Sequence, residues 1–285
     1  MKPLFMWAGG KTKMIKKYGD ILPESFDSYV EPFLGAGAMF VWAYNKNPDA
    51  TFVLNDYNES IMGIYEAIKN DVAPFTQRMD ELSAKYLPLE KSDRKAFYYA
   101  LREEHAFEFD KWTSTEEAAS LYFLMKTGFN GIWQINKNTN GRFGTPSGLL
   151  NQKDKVYDKD NVMEWHTALQ KCTLMTGDFA QTLEKVESGA YVFLDPPYRG
   201  CFTQYGVDFD DKMQNRVIDY LNRSASKGAL TLMSNRDVGD GFFEDRQGDN
   251  KLVYFDVTYT AGRRKKNEDG THEAKKAREI LMIGG

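Results

Sequence analysis

A chain of 285 residues, 42% apolar and 27% charged, holds one large domain or a core with one inserted module, which excludes peptide-scale, disordered and collagenous scaffolds. A net charge of −4 removes bulk attraction to nucleic acid or acidic membrane, so a polyanionic partner needs a local basic patch. Aromatic residues are in excess at 14%, with 19 Phe and 16 Tyr, enough to spare some rings for stacking on a planar ligand.

Two cysteines, Cys172 and Cys201, are too few for a disulfide framework or a thiolate metal site, and reduced thiols are expected. With no run of 18 apolar residues and no secretory signal at the start, the chain is expected to stay in the cytoplasm without spanning a membrane. His105, His166 and His272 show no ligand spacing and read as structural or surface residues.

In chain order, Gly10-Lys11-Thr12 imitates the end of a phosphate loop, but Phe5 stands where that motif needs glycine. Trp7, Gly9, Gly10 and Lys11 read instead as a small-ligand loop with one aromatic wall and one cation. The strand at Tyr29-Val30 runs into Glu31-Pro32-Phe33-Leu34-Gly35-Ala36-Gly37, a turn whose glycines let backbone approach a ligand at a sheet's carboxyl edge. Phe40 replaces the third glycine of a dinucleotide fingerprint. Thr51 to Leu54 form a second strand ending at Asn55-Asp56, and Asp56 suits a nucleoside ribose or a helix cap.

Helical periodicity then takes over. Ile61, Ile64, Tyr65 and Ile68 mark one apolar face, and Ser114 with Glu117 fits a capping box for a helix ending after Lys126 at Gly128. From 128 to 155 glycines, asparagines and lysines cluster around Phe129, Ile132, Trp133 and Phe143, as in a long functional loop or hairpin. Strands return at Tyr191 to Leu194, ending at Asp195, and at Ala229 to Met233, ending at Ser234-Asn235. Lys251 to Thr260 and Glu279 to Ile283 close the sheet as an antiparallel edge pair. The expected architecture is an α/β sheet domain, residues 1–57 and 166–285, split by a mostly helical insertion at 58–165.

Asp195-Pro196-Pro197-Tyr198 is the most specific feature. Two prolines after an apolar strand can neither continue a ladder nor enter a helix interior, so they hold a rigid extended loop that fixes a carboxylate, a carbonyl and a ring. That set suits an amino group on a flat heterocycle: Asp195 and the Pro196 carbonyl each accept one N–H while Tyr198 stacks on the base.

These motifs together resemble the Dam family of DNA adenine-N6 methyltransferases, along nearly the whole chain. Trp7 to Lys11 is similar to the family's N-terminal loop, Glu31 to Gly37 to its Glu-Pro-Phe-x-Gly-x-Gly turn, Asp56 to its strand-end acid, and Asp195 to Tyr198 to its catalytic tetrad. Leu232 to Asn235 and Lys275 to Glu279 also look like family segments. The resemblance implies a Rossmann-like seven-stranded methyltransferase sheet with an inserted target-recognition domain, and S-adenosylmethionine as cofactor. Trp7, Gly10, Lys11, Glu31, Phe33, Gly35, Ala36, Gly37, Asp56, Asp178, Phe179 and Asp195 would then hold the cofactor, and Asp195, Pro196, Pro197 and Tyr198 would carry the chemistry, which needs no metal. The implied substrate is an adenine flipped out of double-stranded DNA by a monomeric enzyme. Cytosine N4, RNA adenine, a glutamine side chain, or a non-catalytic DNA-binding relic are the alternatives.

DNA contacts are expected from Phe129, Asn130, Ile132, Gln134, Lys137, Arg142 and Pro146 in the hairpin and from Arg263, Arg264, Lys265 and Lys266 near the end. Seven basic residues face three acidic ones between Arg263 and Arg278. GATC-methylating members of the family carry Tyr where Phe129 stands, Arg where Gln134 stands and Lys where Met6 stands. Arg reads guanine and Gln prefers adenine, which argues for another or a more relaxed target.

Overall fold

The computed structural model describes residues 1–7, 9–200, 209–259, 265–266, 272–273 and 275–285. Its centre is a seven-stranded mixed sheet. The strands are β1 (Ser28–Glu31), β2 (Thr51–Asp56), β3 (Cys172–Thr176), β4 (Tyr191–Leu194), β5 (Leu230–Asp237), β6 (Lys251–Tyr259) and, after the short β7 (Lys265–Lys266) and β8 (His272–Glu273), β9 (Lys275–Gly284). Their order is β3-β2-β1-β4-β5-β9-β6, with β7 and β8 paired apart from it. The first five are mutually parallel, while β9 runs antiparallel between β5 and β6. This is the methyltransferase-like α/β sheet that the sequence implies, down to the antiparallel pair at its edge.

Both faces of β1, β4 and β5 and most of β2 are covered, which is why these strands read as largely continuous apolar runs. Tyr29, Phe52, Tyr191 and Phe193 pack on one face with α1 (Thr12–Tyr18), α2 (Ala38–Lys46) and α3 (Glu59–Asn70). Val30, Val192, Leu194, Met233 and Ile280 pack on the other with Val217 and Leu221 of α8 (Asp211–Ser226).

Between β2 and β3 run α3, α4 (Val72–Tyr86), α5 (Lys91–Phe107), α6 (Ser114–Thr127) and α7 (Lys159–Leu169). α6 is buried nearly all round and is the axis on which α3, α4 and α5 pack, while α7 lies against α3 and α4. Its capping box is one residue earlier than expected: Thr113 accepts from the Glu116 N–H and Glu116 returns to the Thr113 N–H at 2.8 Å. Both registers satisfy the sequence pattern, and Glu117 is drawn off by Arg142. β3, which the sequence reading does not single out, is an edge strand whose middle residues are only partly covered, so no apolar run marks it.

Candidate active site

Four neighbouring strands end on acids. Glu31 closes β1, Asp56 closes β2, Asp178 follows β3 and Asp195 follows β4. The chain winds one way from β1 through β2 to β3 and the other way from β4 to β5, so these carboxylates line the carboxyl edge on either side of the switch point, where open α/β sheets bind ligands.

Asp195 is held on both oxygens. Lys11 Nζ lies 2.6 Å from Oδ2, and the Ser234 hydroxyl donates to Oδ1 at 2.8 Å. Lys11 is 4% exposed, also donates to the Gly9 carbonyl at 2.8 Å, and sits 4.8 Å over the Tyr198 ring. Solvation, the ordinary fate of a lone lysine, is thus not its position. Pro196 is buried. The Pro197 carbonyl accepts from Gln214 Nε2 at 2.8 Å, and Gln214 is itself fixed by Asn235. Tyr198 is half-buried and donates to Glu279 Oε2 at 3.1 Å; burial and the nearby Asp195 push its phenol well up, so it stays a donor. Arg199 closes the loop: its guanidinium forks onto Asp211 and Asp240 and stacks on Phe242.

The glycine turn is equally determined. Gly35 and Gly37 have φ of +49° and +70°, a left-handed region that other residues rarely adopt. A Cβ on Gly35 would lie 2.9 Å from Trp7 Nε1, and one on Gly37 would lie 2.5 Å from the buried Trp165 ring. Asp56 stabilises the turn by accepting from the N–H groups of Gly35 and Asn58. Burial raises its carboxyl from the ordinary range, and those two N–H groups oppose the rise. Burial pushes Glu31 well up, although Tyr29 donates to it at 2.8 Å. Ala36 is buried between the glycines, and Gly10 donates to the Trp7 carbonyl at 3.1 Å. Phe33 and Phe179 form an aromatic wall with centroids 5.1 Å apart. Asp178 caps the following 3-10 turn and pairs with Arg216 at 2.8 Å.

Trp7 reaches from this turn to the hairpin, its ring 6.1 Å from that of Trp133. Antiparallel bridges pair Gly128 with Ser147 and Ile135 with Phe143, so the 128–155 segment is a hairpin from Gly128 to Ser147. Phe129, Asn130, Ile132, Lys137 and Pro146 are exposed on it, and Gln134 is half-buried. Arg142, also expected to contact phosphate, is half-buried. It ion-pairs with Glu117 and stacks on the Phe109 ring at 3.7 Å, tying the hairpin to α6 and to the 3-10 turn (Phe109–Lys111) before it. Beside it, burial and the Arg142 charge push His105 down to about 3, so its imidazole is neutral. Arg263 and Arg264 lie outside the described residues, and only the backbone of Lys265 and Lys266 is described. Among the described residues no cluster of His, Cys, Asp and Glu is placed to hold a metal ion, and no helix is long and apolar enough to cross a membrane.

Ser234, Gln214 and Glu279, which hydrogen-bond Asp195, Pro197 and Tyr198, are not among the site residues named from sequence. Each is a buried polar side chain with apolar residues close by in its element: Gln214 one turn before Val217 and Ile218, Ser234 after Leu232-Met233, and Glu279 before Ile280-Leu281.

Similarity to known proteins runs the length of this framework. The model of the D12 class N6 adenine-specific DNA methyltransferases matches residues 7–240. The type II methyltransferase M.MjaIII of Methanocaldococcus jannaschii is 30% identical, over 96% of this chain and 97% of its own. The type II methyltransferase M1.LlaDCHI of Lactococcus lactis subsp. cremoris is 26% identical, over 82% and 81%. The DNA adenine methylase of Haemophilus influenzae is 25% identical, over 83% and 80%. With the Asp-Pro-Pro-Tyr loop braced at the end of β4 inside the matched region, the chain belongs to the D12 class of N6 adenine-specific DNA methyltransferases.

Proposed function

We propose that this DNA adenine methyltransferase takes its methyl group from S-adenosylmethionine and acts on an adenine turned out of double-stranded DNA, with Asp195, Pro196, Pro197 and Tyr198 as the catalytic loop. The observation that carries the reading is the fixation of Asp195 by Lys11 and Ser234 at the end of β4, next to the ring of Tyr198.

The residues present fit the cofactor. Its sulfonium and ammonium are positive and its ribose is a diol, and the carboxylates of Glu31, Asp56, Asp178 and Asp195 along one sheet edge suit both. The Gly35 and Gly37 turn offers bare backbone there, with Trp7, Phe33 and Phe179 as flat apolar walls. Gly10, Lys11 and Ala36 complete the lining. When bound, the cofactor supplies an activated methyl group.

Adenine N6 is a poor nucleophile because its lone pair is delocalised into the ring, and inside the duplex it is out of reach, so the base is flipped. Asp195 and the Pro196 carbonyl accept the two N–H groups, favouring the positive charge that develops on nitrogen. The Pro-Pro loop, the Gln214 bond to Pro197 and the Arg199 fork keep those acceptors from relaxing away, which is a contribution by positioning. Residues 58–165 serve as target-recognition insertion, with Phe129, Asn130, Ile132, Gln134 and Pro146 toward the bases and Lys137, Arg263, Arg264, Lys265 and Lys266 toward phosphates.

Incubation with S-adenosylmethionine and unmethylated plasmid, followed by single-molecule sequencing, is expected to give N6-methyladenine in one short motif other than GATC or in relaxed contexts. Methyl groups on cytosine or on RNA alone, or cofactor binding without any transfer, would overturn it.

A further inference from the structure

We propose that Glu279 is a positioning residue for methyl transfer, fixing the Tyr198 ring through the phenolic hydrogen bond. The inference rests on the catalytic reading above and assigns the step to a residue outside the tetrad.

A stacking ring works only if its plane is held, because a tyrosine side chain otherwise turns about its last two torsions. The tetrad prolines fix the backbone of Tyr198 but not that rotation. Its hydroxyl donates to Glu279 Oε2 at 3.1 Å. Glu279 is 5% exposed on β9, where its backbone pairs with Arg236 of β5 on one side and Phe255 of β6 on the other. Two hydrogen-bonded neighbours make β9 an interior strand, so the acceptor stands on one of the least movable parts of the sheet. From the other direction Lys11 Nζ sits over the ring face, 4.8 Å from its centroid. One face of the ring is thereby assigned to the ammonium, and base stacking falls to the opposite one. Tyr198 is held at its tip by Glu279 and on one face by Lys11, while Ser234 and Lys11 hold the neighbouring Asp195. A carboxylate buried in a strand beside Ile, Leu and Met is costly to retain for packing alone, and the Tyr198 hydroxyl that donates to it belongs to the Asp195–Tyr198 loop.

The test compares parent, Tyr198→Phe, Glu279→Gln, Glu279→Leu and the Tyr198→Phe/Glu279→Leu pair in steady-state methylation of a duplex carrying the mapped motif. Tyr198→Phe and Glu279→Leu are each expected to lower kcat about tenfold, with KM for S-adenosylmethionine and for DNA within twofold of the parent. The pair should be no slower than either single variant, since both remove the same bond. Glu279→Gln, which keeps an acceptor, should recover most of the rate. Independent, multiplying losses, a Gln variant as slow as the Leu variant, or a loss confined to KM would overturn the proposal. If Glu279→Leu does not fold, Glu279→Met, which keeps the volume without an oxygen acceptor, takes its place in the same comparison with Tyr198→Phe and their pair. A parent that methylates no adenine would instead be a failure of the catalytic reading.

Discussion

Lys11 Nζ and Asp195 Oδ2 lie 2.6 Å apart, so the loop at the start of the chain and the loop after β4 meet in one largely buried ion pair. Removing either partner should stop methylation without unfolding the sheet, whose strands do not depend on it. Asp195→Ala is expected to abolish transfer and Lys11→Met to slow it by 10² or more in single-turnover assays, with far-UV circular dichroism unchanged. Retention of activity within tenfold in the Asp195 variant would remove that residue from the chemistry.

His105 gives the protein an acid-sensitive joint. Folded, its imidazole is held down to about 3, whereas an unfolded histidine titrates near 6.5, so below that pH the unfolded chain binds the extra proton. The contribution is fully present above 6.5 and is lost as pH falls, by about 1.4 kcal/mol per unit. Between pH 6.5 and 5 the parent should therefore lose about 2 kcal/mol more in urea melts than His105→Phe. Parallel pH profiles would contradict the assignment.

Gly37→Ala should be among the most damaging single-methyl additions. It combines a left-handed φ of +70° with a contact of 2.5 Å to the Trp165 ring, which is itself fully buried. Strain and overpacking together predict a loss of about 2–4 kcal/mol in chemical denaturation. A loss under 1 kcal/mol would mean that α2 shifts freely, against the packing described.

Phe129 is 41% exposed at the hairpin, so its truncation costs little stability. If it wedges beside the flipped base, Phe129→Ala should reduce the fluorescence rise of 2-aminopurine placed at the target position, while Phe129→Trp retains it. An unchanged signal in the alanine variant would relocate the wedge.

Lys137 and Arg142, both basic and both on the hairpin, should separate cleanly. Lys137→Ala is expected to lower the salt dependence of DNA binding by about one phosphate contact and leave the melting temperature alone. Arg142→Ala should lower the melting temperature first, because it strips Glu117 and Phe109 of their partner. The reverse pattern would put Arg142 back at the phosphates.

Most of the sheet was legible because parallel strands buried on both faces write uninterrupted apolar runs that end in Asp or Asn, as β2 and β4 do. β3 was not, since an edge strand with exposed Thr173 and Thr176 lacks that run. The tetrad was legible because four contiguous residues carry it. Its supports were not: Ser234 reaches Asp195, and Glu279 reaches Tyr198, only through the pairing of strands distant in the chain. Arg142 adds a contact that composition does not show, an ion pair with Glu117 reached through the fold of the hairpin.

Trp7 stands against Gly35 on one side and Trp133 on the other, so the glycine turn and the hairpin share a wall. An indole in that position cannot yield to one neighbour without registering on the second. A ligand at the sheet edge that displaced this indole would press on the hairpin as well, and a displacement at the hairpin would be felt at the glycine turn.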